Sequence, residues 1–384
     1  MNKWTVGLAA AGMVSLASVA QAQDANSVQT KLGSTSLSGY VSTTYHWNIG
    51  DADDAITDYA VGGDKSDRFA LDVISLTLAK PTTEGDWGAG YNVQMWLGPD
   101  ASEILNNDDN GEIAIKNAYL TLNAPFGNGV DVTLGRFDTI MGMESMDYNL
   151  NPHYGHSWGY AIEPTIHEGI KASYQLTDNI GVTALLANTI DATSNGSAGE
   201  GDRKTYGFAL NMVTPDSFGY LGGSTVDFAY INGAEGDPNN EEPVQNYYMA
   251  FSIPTPVDKL SAGLALDYRK SGGGEGRTDS VVGLYLEYAA TEKLTLNLRI
   301  EDVDAGPVNE GYMQDNHDSS PSDLWDLTAT ADYKLWDGVT TRFEYRYTNA
   351  DAPAGDQHQR DNGGEWSNLD EHSHSLIANV IYEF

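Results

Sequence analysis

From Leu37 to the last residue the chain repeats one unit: about ten residues of alternating polarity, then a break. Alternate positions of a strand share a face, so the repeat specifies strands with one apolar face. Leu37, Gly39, Val41, Thr43, Tyr45 and Trp47 make the first such face. Phe69 to Ala79 follows, with a change of parity near Val73 and Ile74 that predicts a bulge. Similar faces run over 87–97, 118–122, 130–134, 170–176, 180–186, 206–212, 226–230 and 247–253. They continue over 260–268, 282–288, 294–300, 325–335, 339–347 and 376–384. The count is roughly sixteen, an even number, and each segment has the length that a tilted membrane-spanning strand needs. No helical period competes over a long window; only Asp138 to Asp147 leaves room for a short helical turn.

The connections alternate in length. Thr177-Asp178-Asn179, Pro254 to Asp258, Ala290 to Lys293 and Trp336-Asp337-Gly338 are short. Between them lie long stretches at 48–66, 138–166, 188–204, 302–323 and 348–372. Short turns on one rim and long loops on the other are what a transmembrane barrel needs, and a soluble sandwich has no reason for them. The expected fold is therefore all-β: a transmembrane antiparallel up-and-down β-barrel of about 16 strands, with periplasmic turns and extracellular loops. That topology carries Trp47, Tyr206, Tyr230, Tyr247, Tyr268, Trp325 and Tyr347 to the outer rim. Trp87, Tyr288, Tyr333 and Phe384 go to the inner rim, giving two aromatic girdles at the lipid–water interfaces.

The two ends agree with export to a membrane. Met1-Asn2-Lys3, an apolar run from Val6 to Ala20, and Ala20-Gln21-Ala22 form a signal peptide of residues 1–22. Residues 23–384 are then one mature barrel domain. The closing strand Ser375 to Phe384 is similar to the C-terminal strand of outer-membrane barrels, whose final aromatic is read by the barrel-assembly machinery. Ile377 and Ile381 interrupt its polar face. Barrel closure requires this strand to pair with Leu37–Trp47. The chain has no cysteine, so it carries neither a lipoprotein anchor nor disulfides. Its 20 Lys and Arg against 55 Asp and Glu give a net charge of −35, which argues against nucleic acid as a partner. A mean hydropathy of −0.39 suits a barrel with a polar lumen and an acidic secreted protein alike.

One stretch is more distinctive. It runs through Leu134-Gly135-Arg136-Phe137, Gly142-Met143-Glu144, Asn151-Pro152, Ser157-Trp158-Gly159-Tyr160 and Pro164-Thr165-Ile166-His167-Glu168-Gly169. With the barrel pattern, it resembles the OmpL-like β-barrel porin family of bacterial outer membranes. The resemblance implies a water-filled channel for small hydrophilic solutes and ions, without enzymatic activity or cofactor. It implies lipid, lipopolysaccharide and the assembly machinery as partners. The Pro-Glu-Phe-Gly-Gly type of motif from the constriction loop of general trimeric porins is absent. That leaves a homotrimer, and a loop folded into the lumen, as open expectations.

Pore selectivity is set by lining charges and by the narrowest section. Arg342, Glu344 and Arg346, Arg299 and Glu301, and Asp267 and Arg269 fall on the inward parity, and Arg136 and Lys171 flank the longest loop. These nine are the candidate pore-lining residues. In general porins such a wall faces acidic groups on an inward loop, and Glu144, Asp147 and Glu163 could play that part here. The other reading is pairing between neighbouring strands. Acidic residues crowd the long loops, including Asp51, Asp53, Asp54, Asp58, Glu235, Asp237, Glu241, Glu242 and five in 302–318. An acidic mouth would favour cations weakly; a solvated surface, or one bridged to lipopolysaccharide by divalent ions, fits equally. A substrate-selective porin for phosphate, sugar or dicarboxylate, and a plugged-barrel enzyme or adhesin, remain alternatives.

Metal and catalytic signals are slight. Asn106 to Gly111 has the rhythm of half a calcium loop, but Asn117 stands where a bidentate Glu belongs. His153, His156, Glu163 and His167 form one histidine group, and His372 and His374 beside Asp370 and Glu371 another; loop histidines explain both. No nucleophile is recognisable beside His46, and no metal site is expected.

Overall fold

The structure is a computed structural model and describes residues 35–49, 65, 67–82, 87–105, 112–192, 204–233, 243–271, 277–305, 323–350 and 372–384. The signal peptide, the half calcium loop and most of the acidic loop residues lie outside the described residues.

Sixteen strands follow one another: β1 (Ser36–Ile49), β2 (Arg68–Lys80), β3 (Ala89–Leu97), β4 (Ile113–Ala124), β5 (Val130–Asp138), β6 (Ile166–Thr177), β7 (Ile180–Ala187) and β8 (Thr205–Val213). They continue as β9 (Thr225–Gly233), β10 (Val244–Pro254), β11 (Leu260–Ser271), β12 (Arg277–Tyr288), β13 (Leu294–Ala305), β14 (Asp323–Trp336), β15 (Val339–Ala350) and β16 (His372–Glu383). Each pairs antiparallel with its chain neighbours, and β16 pairs with β1, so the barrel is closed and has no free edge. Among the described residues two short α-helices lie in the connections, α1 (Pro99–Glu103) and α2 (Trp158–Ile162). Asp138 to Asp147 is not helical; a 3-10 turn follows at Tyr148–Leu150, and α2 comes later in the same connection.

The seam reaches the last residue. Gly39 N–H donates to the Phe384 carbonyl and Phe384 N–H to that of Gly39, both at 3.0 Å. A Cβ on Gly39 would lie 2.9 Å from the Phe384 ring, so the glycine leaves the aromatic room to lie across β1. Leu376, Val380, Tyr382 and Phe384 face outward. Ile377 and Ile381, which interrupt the inward face, are buried inside the barrel against Tyr40, Trp96, Met146 and Tyr148. Their apolar character answers to a filled interior.

The parity change predicted in β2 is a bulge. Ser42 pairs with Val73 and Thr43 with Leu71, which leaves Asp72 unopposed. A second bulge, absent from the sequence reading, leaves Lys116 unopposed between the pairs Gln94–Asn117 and Met95–Ile115. Outward tyrosines 206, 230, 247 and 268 stand side by side on β8 to β11, with ring centres 4.8–6.4 Å apart. Trp325 and Tyr347 continue this rim at 5.0 Å. At the other rim Trp87 precedes β3 rather than belonging to it, and meets Phe126 edge-on at 5.7 Å.

Candidate functional site

The connection of residues 139–165 between β5 and β6 fills the barrel at the level of the wall charges. Its neck is tied where Thr139 N–H donates to the Thr165 carbonyl at 2.9 Å. Ile140 and Met141 pack with Leu185, Ile231, Val244 and Tyr248 on the β7–β10 wall. Met146 and Tyr148 pack on the opposite side with Tyr40, Trp96 and Ile377. The loop thus has apolar anchors on two sides of the lumen, and burial of such groups is the main force holding it inside.

Wall charges hold the rest. Arg299 gives one guanidinium nitrogen to Glu144 Oε1 at 2.7 Å and to the Gly155 carbonyl at 3.0 Å. Its other terminal nitrogen donates to the His156 carbonyl at 3.1 Å, and Nε pairs with Glu301 at 2.9 Å. Arg342 donates to the Tyr148 and Asn151 carbonyls, at 2.7 and 2.6 Å. Arg346 donates to the His156 carbonyl and pairs with Asp326. The carboxylates answer in kind. Glu344 accepts from Tyr154 N–H and Gly155 N–H at 2.7 and 2.9 Å. Glu301 accepts from Trp158 N–H and Gly159 N–H, two free donors of the first turn of α2. Arg299 and Arg346 are fully buried, so nearly every donor they own is taken up by the loop or by a neighbouring carboxylate.

The loop acids take different partners. Glu144 bonds Arg299, His156 and Ser157 N–H. Burial alone would raise its pKa, but Arg299 and His156 overcome this and hold it well below the usual carboxylate range. Asp147 accepts from Tyr40, Gln94 and Lys116 on β1, β3 and β4. Glu163 meets Asp267 on β11, carboxyl against carboxyl. Lys171 lies inward on β6, its ammonium 4.8 Å from the Phe137 ring. Arg269 pairs with Asp279 in the β11–β12 register. Arg136 departs from the expectation: it shares the outward face of Leu134 and bonds Glu168 at 3.0 Å and the Ala192 carbonyl. Phe137, one residue on, is the inward one.

A further charge cluster, without a motif in the sequence, lies beside α1. Lys65 pairs with Asp72 at 3.0 Å and with Asp100 of α1 at 2.6 Å. Tyr154 donates to Asp72 and Tyr148 to Asp100, so the lumen loop is tied to β2 and to the β3–β4 connection as well. One lysine serves two carboxylates here. Burial and the Asp72 charge push Asp100 up to about 6 despite Lys65. The histidines are dispersed: His153 bonds Thr330, His156 bonds Glu144 and His167 bonds Thr139. Burial pushes His153 well down, keeping it neutral. Among the described residues no three metal-ligating side chains gather.

The comparisons with known proteins agree with this architecture. The model of the family described as putative beta-barrel porin-2, OmpL-like, matches residues 34–384. No curated protein matches the sequence. Among solved structures, the outer membrane channel DcaP of Acinetobacter baumannii has a TM-score of 0.61 at 13% identity, covering 94% of this chain and 100% of that one. The anion-selective porin from Comamonas acidovorans gives 0.59 at 13% identity, covering 91% and 99%. The trimer form of OmpT, an outer membrane protein of Vibrio cholerae, gives 0.56 at 12% identity, covering 91% and 99%. At these identities the structures share the fold. The chain belongs to the OmpL-like β-barrel porin family and is a porin-like channel protein of the outer membrane.

Proposed function

We propose that the channel passes small hydrophilic solutes and ions by passive diffusion, with a weak preference for cations. The observation that carries this reading is the state of the wall arginines. Arg299, Arg342 and Arg346 are buried beneath the lumen loop and bonded to its carbonyls and to carboxylates. They therefore offer no basic ladder to a passing anion. On the inward parity nearer the periplasmic rim, Glu287 and Glu383 are exposed, against an exposed Lys334, while Asp332 is paired with Arg342 at 3.0 Å. Exposed like charges bias the ions that enter, strongly at low salt. The acidic loops add to this bias.

A phosphate or dicarboxylate pore would need exposed cations, so the substrate-selective alternatives find less support. The anion selectivity named for the Comamonas porin belongs to that protein. A reversal potential of cation sign across a KCl gradient supports the proposal, and one of chloride sign overturns it. Arg342→Glu with Arg346→Glu should alter conductance by releasing the loop; unchanged conductance would remove these residues from the pore. The reading includes a homotrimer, in line with the trimer form of one structural neighbour, checked by native mass spectrometry. It also includes a signal peptide cleaved before Gln23, recognition of Phe384 by the assembly machinery, and lipopolysaccharide around the outer rim.

A further inference from the structure

We propose that Glu163 and Asp267 form a proton-sharing latch that pins the end of the lumen loop to β11 and lets go when the shared proton is lost. The proposal rests on the channel reading above, because it makes the loop a pH-sensitive obstruction within that channel.

Both side chains are at least nine-tenths buried, at 8% and 6% exposure. Their carboxyl groups lie close enough for a hydrogen bond between them. Ionised carboxylates are acceptors only, so such a bond requires a proton on one of them. The contact is tight from both sides. A Cβ on Gly159 would come within 2.6 Å of Asp267 Oδ2, and one on Gly142 would collide with Glu163. Gly142 has φ 103°, a left-handed conformation in which glycine brings the backbone under the acid without strain. Asn246 on β10 holds the same limb by donating to the Ile162 carbonyl at 2.6 Å.

Among the described residues no Lys or Arg forms an ion pair with either carboxyl. Glu144 of the loop and Tyr248 of β10 face the pair, and Asp279 lies two residues along with its register partner Arg269. Arg299 of β13 is committed to Glu144 and Glu301. Burial, and then the charge of Asp267, push Glu163 well above the usual carboxylate range. A carboxyl raised in this way stabilises its contact while protonated. That contribution is complete at low pH and is lost as pH rises through the raised value. Above it, two buried like charges repel and the α2 limb is driven off β11.

The absence of native cysteine allows a direct test on the full chain, refolded in detergent. A nitroxide at Ala161→Cys, on α2, reports limb mobility by electron paramagnetic resonance across pH 5 to about 10. The latch predicts an immobile spectral component at neutral pH that is lost on alkalinisation. Glu163→Gln in the same background keeps a donor but cannot ionise, so its immobile component should persist. Asp267→Asn should behave likewise. Equal pH profiles in the parent and both variants would overturn the latch. So would mobilisation by EDTA at neutral pH, which would identify a bound divalent cation as the bridge. The label reads the loop whether or not current flows, so a failed latch is distinguishable from a failed channel reading.

Discussion

At the scale of single residues, the lumen loop is held by charge-assisted bonds between buried partners, and these are the strong kind. Arg299 is the hub. Replacing it by alanine strands Glu144 and Glu301 without their cation, and breaking a buried pair costs about 3–5 kcal/mol. Arg299→Ala should therefore free the loop, seen as noisier and larger conductance steps and a lower thermal unfolding midpoint on gel-shift analysis. A double replacement with Glu144→Gln should recover part of the loss. Glu144 also fixes the acid limit of the clamp. Its folded pKa is depressed, so its contribution is present above the ordinary glutamic acid value of about 4.3 and fades as pH falls toward the depressed one. A label at Ala161→Cys should stay immobile through mild acid and loosen only well below pH 4. Release near pH 5 would contradict the pairing with Arg299.

At the scale of strands and turns, most of the barrel is legible in the sequence, because a two-residue period leaves its mark wherever one face meets lipid. Leu260 to Tyr268 and Val282 to Tyr288 show it plainly, and the two strands pair antiparallel in one unbroken register. What parity reasoning misses lies where the period slips. Asp72 and Lys116, two of the most deeply buried charges, occupy bulges on β2 and β4. A bulge turns both of its residues in ways that counting cannot assign. Only the first left a trace, as the parity change at Val73. Arg136 stands at the end of β5 beside a long loop, and the parity of Leu134 assigns it outward. The seam offers a test at this scale. Gly39→Val sets a branched side chain against the Phe384 ring and the β2 backbone. Closure of β1 on β16 should then slow, lowering the folded fraction in refolding from urea, and Phe384→Ala should partly relieve it.

At the scale of the whole molecule, an up-and-down barrel whose interior is packed by one of its own loops combines two demands. The outward face offers apolar side chains to lipid with aromatic rings at both rims, and the inward face offers polar and charged groups that bind the loop. The sequence shows the inward charges but not their partners, since parity reports a face and not what comes to rest on it. With the arginines covered and carboxylates exposed toward the periplasmic rim, the proposed passage is weakly cation-preferring. Single-channel recording of the purified protein in planar lipid bilayers under a KCl gradient tests this most directly. Stable open steps with a reversal potential of cation sign are the predicted result. A silent bilayer, or open steps that reverse with chloride, would contradict it.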